Sequence, residues 1–170
     1  STVLKETAWL KRRRSPGLAK ALDDDQWIAF VGAIERMKSA YERQVPLDPV
    51  TVGGRTYPVP LCHPLGLLLV EMMLFTGMRS SEAAALRLSD ISDGQIVLTI
   101  HKSDGAQGIP KTIRIIPQVQ RVLDEAAEWR RRRGRDDHGY VFPNVARQRG
   151  CAKHVAAPDH YVEQVRIAAG

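Results

Sequence analysis

Cysteine is scarce in this chain: Cys62 and Cys151 stand far apart among 170 residues, which excludes a disulfide framework. Reduced thiols in a cytoplasmic protein are the simpler expectation. Long uncharged apolar runs are missing as well. The richest, Leu65 to Phe75, is too short for a bilayer and is broken by Glu71, so no membrane span is expected. No apolar stretch follows Ser1-Thr2-Val3-Leu4-Lys5, and no secretory signal is expected at this start. With no initiating Met, an excised fragment is the expectation. No Gly-rich phosphate loop, nucleophile elbow or dinucleotide fingerprint occurs. Cys151 and His154, with His160, lack a second ligand pair at zinc-site spacing, so no metal site is expected there.

What remains is a folding, basic chain. A hydrophobic content of 44% argues against disorder, and the length suits one domain with a proper core. The net charge of +6, contributed mostly by arginine, favours a polyanionic partner.

Residues 1–20 read as a basic connector. Lys11, Arg12, Arg13 and Arg14 precede Ser15-Pro16-Gly17, a pattern that serves either as a solvated tail or as an arm along a nucleic-acid backbone. From residue 21 onward the chain reads as a mainly helical α+β domain with one small antiparallel sheet. A helix begins at Asp23-Asp24-Asp25, where carboxylates complement the helix dipole and cap the first turn. Capping accounts for this triplet without a metal ion. Trp27, Phe30, Val31, Ile34 and Met37 then share one face. Proline and glycine make 44–63 a loop, with a short hairpin near Thr51 to Tyr57. Pro64 opens a helix that is apolar almost all round, hence buried on several sides, and Gly77 stands where its C-cap belongs. A short helix is predicted from Ser81 to Leu88. Strands follow over Gln95–Ile100 and Ile113–Ile116, joined by a turn at 103–108. A helix spans Pro117 to Arg133 and stops at Gly134. Tyr140-Val141-Phe142-Pro143-Asn144 is an apolar piece, and a last helix starts near Pro158.

The chemistry concentrates after Gly77, in Thr76-Gly77-Met78-Arg79-Ser80-Ser81-Glu82, continued by Ala83-Ala84-Ala85-Leu86-Arg87-Leu88-Ser89-Asp90-Ile91. A cation at a helix start is disfavoured by the dipole, by about 0.3–1 kcal/mol. An arginine kept there suggests a task, and a planar guanidinium fork suits a phosphate. Glu82, three residues on, can pair with Arg79 as an ordinary surface bridge or hold it in one orientation for a ligand. The stretch resembles the first arginine box of the tyrosine recombinases, the phage-integrase family of DNA breaking and joining enzymes. The resemblance covers about residues 20–170 and is strongest from Leu67 to Pro117.

That resemblance implies roles for particular residues. Arg79 would contact the non-bridging oxygens of the attacked phosphate, and Glu82 would brace it. Lys102, at the end of the first strand and in the alternation of Ile96, Leu98 and Ile100, would be the general acid that protonates the departing 5′-oxygen of DNA. Lys111, opening the second strand, is the runner-up; a lysine at a strand end also serves simply to keep an edge soluble. Arg114 and Pro117 would close the hairpin structurally. Arg130, Arg131, Arg132 and Arg133 form the densest positive run. It reads either as a solvated helix end complementing the dipole or as a DNA backbone contact.

The family also needs a His-x-x-Arg cluster and a tyrosine that attacks the phosphodiester to give a 3′-phosphotyrosine link. No His-x-x-Arg occurs here, and Tyr41, Tyr57, Tyr140 and Tyr161 read as scaffold. The expectation is therefore the N-terminal part of an integrase-type catalytic domain, spanning 21–170 and unable to cut DNA alone. It would belong to a recombinase of a mobile element that acts on double-stranded DNA without metal or nucleotide cofactor. The parent would assemble as a tetramer on DNA and this piece would be monomeric. A non-catalytic DNA-binding module, or a naturally truncated integrase relative, is the alternative. A type IB topoisomerase shares the chemistry but fits the Leu-Ser-Asp-Ile continuation less well.

Overall fold

The computed structural model describes residues 22–100, 108–134, 138–145, 154, 155 and 157–170. They divide into two compact units, 63–161 and the remainder, which combines the segments before and after it.

In the divided unit, helix α1 (Asp24–Arg43) begins where the carboxylates predict. Asp23 is the N-cap and accepts from the Gln26 backbone at 2.8 Å, while the Gln26 side chain accepts in return from the Asp23 N–H. Phe30, Ala33, Ile34, Met37 and Ala40 are buried along one stripe. Gln44 ends the helix in the left-handed conformation, φ 55°. The segment expected to be mostly loop is instead a longer hairpin, β1 (Leu47–Val52) paired antiparallel with β2 (Arg55–Val59). Its prolines are tolerated because Pro49 falls where the register shifts, between Leu47 and Val50, and no ladder N–H is needed there.

The second unit is organised by helix α2 (Pro64–Thr76), buried along most of its length. His63 caps it through Nδ1, which accepts from the Leu65 N–H at 3.2 Å. Gly77 closes it at φ 64° and donates to the Met73 carbonyl. Next come α3 (Ser80–Ala84), a single 3-10 turn at Leu88–Asp90, and the strands β3 (Ile91–Ser92), β4 (Gln95–Ile100) and β5 (Ile109–Arg114). Helices α4 (Pro117–Arg133) and α5 (Pro158–Ala169) complete the order. The strands form one antiparallel sheet, β3-β4-β5. Leu65, Leu68, Leu69 and Met72 of α2 pack with Val119, Val122, Leu123 and Ala126 of α4, joined by Leu86, Ile96, Leu98, Val141 and Phe142. Each such Val, Leu, Ile, Met or Phe side chain, fully buried, contributes about 1.5–3 kcal/mol.

The fold is thus mainly helical α+β, as the sequence indicates, but the described residues hold two small antiparallel sheets where one was expected. Three further boundaries differ. Helix α3 stops short of Leu88 because the Leu86 carbonyl and the Leu88 N–H bond instead to Val141 and Gly139. Strand β5 starts at Ile109, since pairing with β4 places Pro110 opposite Thr99 and Lys111 opposite Leu98. Strand β3 was not foreseen; two residues carry too little alternation to register as a strand.

Candidate active site

The geometry at Arg79 begins in the core. Gly77 reverses the chain, and the extended backbone of Arg79, φ −68° and ψ 154°, then turns successive side chains to opposite sides. Met78 and Ser80 are each 4% exposed and anchored inward. Arg79 between them is turned out, its side chain 76% exposed. Thr76 Oγ1 tightens the corner by donating to the Met72 carbonyl at 2.5 Å and accepting from the Met78 N–H at 3.3 Å.

Glu82 is the junction of the site. Its side chain is only 15% exposed. Oε2 accepts from the Arg79 backbone N–H at 3.0 Å, the carboxylate half of a capping box, and lies 3.5 Å from Lys111 Nζ. Oε1 lies 3.9 Å from the Arg79 guanidinium. The shortest bond therefore fixes the Arg79 main chain, while the head groups of Arg79 and Lys111 are held by longer-range attraction. Exposed pairs of this kind contribute about 0–1 kcal/mol, leaving the guanidinium able to turn toward a ligand. Chemically, the arrangement offers two cations sharing one carboxylate, with the Arg79 fork open to water.

The other sequence candidates fall differently. Lys102 and the Lys11, Arg12, Arg13, Arg14 run lie outside the described residues. In the α4 run, Arg130 donates to the Val141 carbonyl at 3.0 Å and Arg133 to that of Asn144. Both therefore tie the apolar 140–145 segment to the helix end. Arg131 and Arg132 pair with Glu128, and Arg132 also lies 5.0 Å from the centroid of Trp129. Hydrogen bonds from Arg132 and Arg131 hold the Glu128 carboxyl below its ordinary pKa. Burial pushes the Cys62 thiol up to about 11, so it is not a nucleophile at neutral pH.

Two features were not singled out from sequence. Arg87 repeats the Arg79 pattern, with its backbone N–H donating to Asp90 Oδ2 at 2.9 Å; Arg-x-x-acid occurring twice within twelve residues was the available signal. Glu71, fully buried in α2, meets Arg121 of α4 at 2.8 Å. Among the described residues no cluster of His, Cys, Asp or Glu is arranged to hold a metal ion.

The family's sequence model, described as the phage integrase family, matches residues 65–170. This chain belongs to the phage integrase family. Neither the curated proteins nor the solved structures yield a match. The family is one of site-specific recombinases, and membership implies DNA as a partner. The matched span contains the whole Arg79–Glu82–Lys111 group. Among the described residues, no helix of this integrase-family chain is long and apolar enough to cross a membrane.

Proposed function

We propose that the chain is the N-terminal part of a recombinase catalytic domain, covering 21–170, with residues 1–20 as a basic connector, and that it binds a duplex at the phosphate to be broken. In the complete reaction a tyrosine oxygen attacks phosphorus, the bond to the 5′-oxygen breaks, and that oxygen takes up a proton. Arg79 stabilises the charge that develops on the non-bridging oxygens; a donor of this kind is worth about 2.7–4 kcal/mol in other enzymes. Glu82 positions Arg79 through its backbone. Lys102 supplies the proton, with Lys111 the second candidate. What supports this reading is the Arg79 fork, turned outward between two anchored neighbours beside an acid shared with a hairpin lysine.

No His-x-x-Arg occurs in these 170 residues, and Tyr41, Tyr57, Tyr140 and Tyr161 lie in segments that read as scaffold; on this reading the chain alone binds DNA without cleaving it. The second reading is a non-catalytic module that occupies recombination sites. One experiment separates them. The natural gene product containing these residues is incubated with a nicked suicide duplex, and covalent DNA–protein adducts are counted. The recombinase reading expects adducts, lost by at least a hundredfold in Arg79→Ala with an unchanged melting temperature. Undiminished adducts in that variant remove Arg79 from the site. A complete lack of adducts in the unsubstituted protein favours the module.

A further inference from the structure

Arg87 presents a guanidinium that, unlike that of Arg79, is held in place. The backbone runs antiparallel to the 139–141 segment, with Leu88 N–H donating to Gly139 and Val141 N–H to Leu86, each at 2.9 Å. Arg87 and Tyr140 therefore form a cross-strand pair. The guanidinium carbon stands 4.6 Å from the Tyr140 ring centroid, and Nη2 donates to the phenol oxygen at 3.0 Å. The ring is itself held from another side by His154, edge-on at 5.2 Å. Stacking and one hydrogen bond thus hold the guanidinium in place at the surface.

Among the described residues its charge, by contrast, is uncompensated. Arg121, Arg131, Arg132 and Arg166 each meet a carboxylate within 3 Å. Asp90, the acid nearest Arg87 in sequence, is engaged by the Arg87 backbone N–H rather than its head group. Among the described residues, the Arg87 guanidinium forms no ion pair. An ordered guanidinium with no counter-charge among the described residues is suited to a phosphate oxygen, which it can meet in bidentate fashion.

We infer that Arg87, stacked on Tyr140, is a phosphate contact of the bound duplex, separate from the Arg79 group. The inference rests on the recombinase reading for its choice of polyanion. A contact of this kind fixes register on the duplex without reading bases. The Tyr140 hydroxyl and ring orient the fork and do not themselves touch DNA.

The test uses the 170-residue chain and a 20-base-pair mixed-sequence duplex, with affinity measured from 50 to 200 mM NaCl. Loss of one phosphate contact lowers the slope of log K against log salt by about 0.9, so the fourfold rise in salt costs about 3.5-fold less affinity. Arg87→Gln is the informative variant, because a glutamine amide can still meet the phenol while the charge is gone. The expected result is that reduced slope, an unchanged melting temperature, and recovery of the slope in Arg87→Lys. A merely structural tether would leave the slope alone in Arg87→Gln, whatever the melting temperature. An unchanged slope overturns the inference while leaving the recombinase reading standing. Failure of the unsubstituted chain to bind in a salt-dependent way overturns both.

Discussion

The Glu71–Arg121 pair makes the sharpest stability prediction. Glu71 is 0% exposed and sits among Leu67, Leu68, Val70 and Met72 on α2, where an ionised carboxylate without a counter-charge is very costly. Arg121 reaches it at 2.8 Å from α4 and also grips Glu125. Partial burial works against the Arg121 charge, but the hydrogen bonds with both carboxylates outweigh it and raise the Arg121 pKa. Removing one partner of a buried pair costs about 3–5 kcal/mol. Arg121 is 41% exposed, so water can take over part of its role and the lower end applies. Arg121→Ala should therefore lose about 3 kcal/mol, which for a chain of this size lowers the melting point by roughly 6–12 °C. The double variant Glu71→Met, Arg121→Leu removes both charges and keeps the volume apolar, and it should recover most of the loss. Thermal and urea melts of the three proteins decide it. If Arg121→Ala unfolds within about 1 kcal/mol of the parent, or the double variant is no better than the single, the pair is not the electrostatic clamp between α2 and α4 argued here.

Two further outcomes follow from the same unit. Burial, aided by the Arg133 charge, pulls His63 from 6.5 to about 4, so between those values the unfolded chain takes up a proton that the native cap refuses. Stability should then fall as pH drops through that window. The full shift corresponds to about 3.4 kcal/mol, discounted to roughly 2 because the ring is only half-buried. His63→Asn keeps a capping acceptor and should flatten the urea-midpoint profile between pH 7 and 4.5; an equally steep profile would clear His63. Gly66→Ala, which in an open helix would gain about 1 kcal/mol, should instead lose about 1–3 kcal/mol. Its new Cβ would lie far inside van der Waals contact with three carbons of the Tyr161 ring. Calorimetry of Gly66→Ala with and without Tyr161→Ala checks this, since a Gly66→Ala protein more stable than the parent would refute the close packing.

Much was legible in the sequence because it is encoded over a few residues. Asp23 and its neighbours announce the start of α1, Pro64 and Gly77 bracket α2, and Pro117 and Gly134 bracket α4; capping and the loss of a backbone donor act within one turn. The Arg79–Glu82 spacing was equally visible. Partnerships across long stretches were not. That Lys111 would reach Glu82, that Arg130 and Arg133 would hold the 140–145 segment, and that Tyr140 would support Arg87 depend on strand register and chain return. Apolar patterning also reads Glu71 only as an interruption of α2, because nothing local reveals the Arg121 fork waiting fifty residues later. Local chemistry thus determined where the long helices begin and end and which arginine stands out as a candidate. Only the tertiary structure decided which charges are compensated across long stretches, such as Glu71 by Arg121 and Glu82 by Lys111, because those Coulomb partners are selected by distance in space and not by distance along the chain.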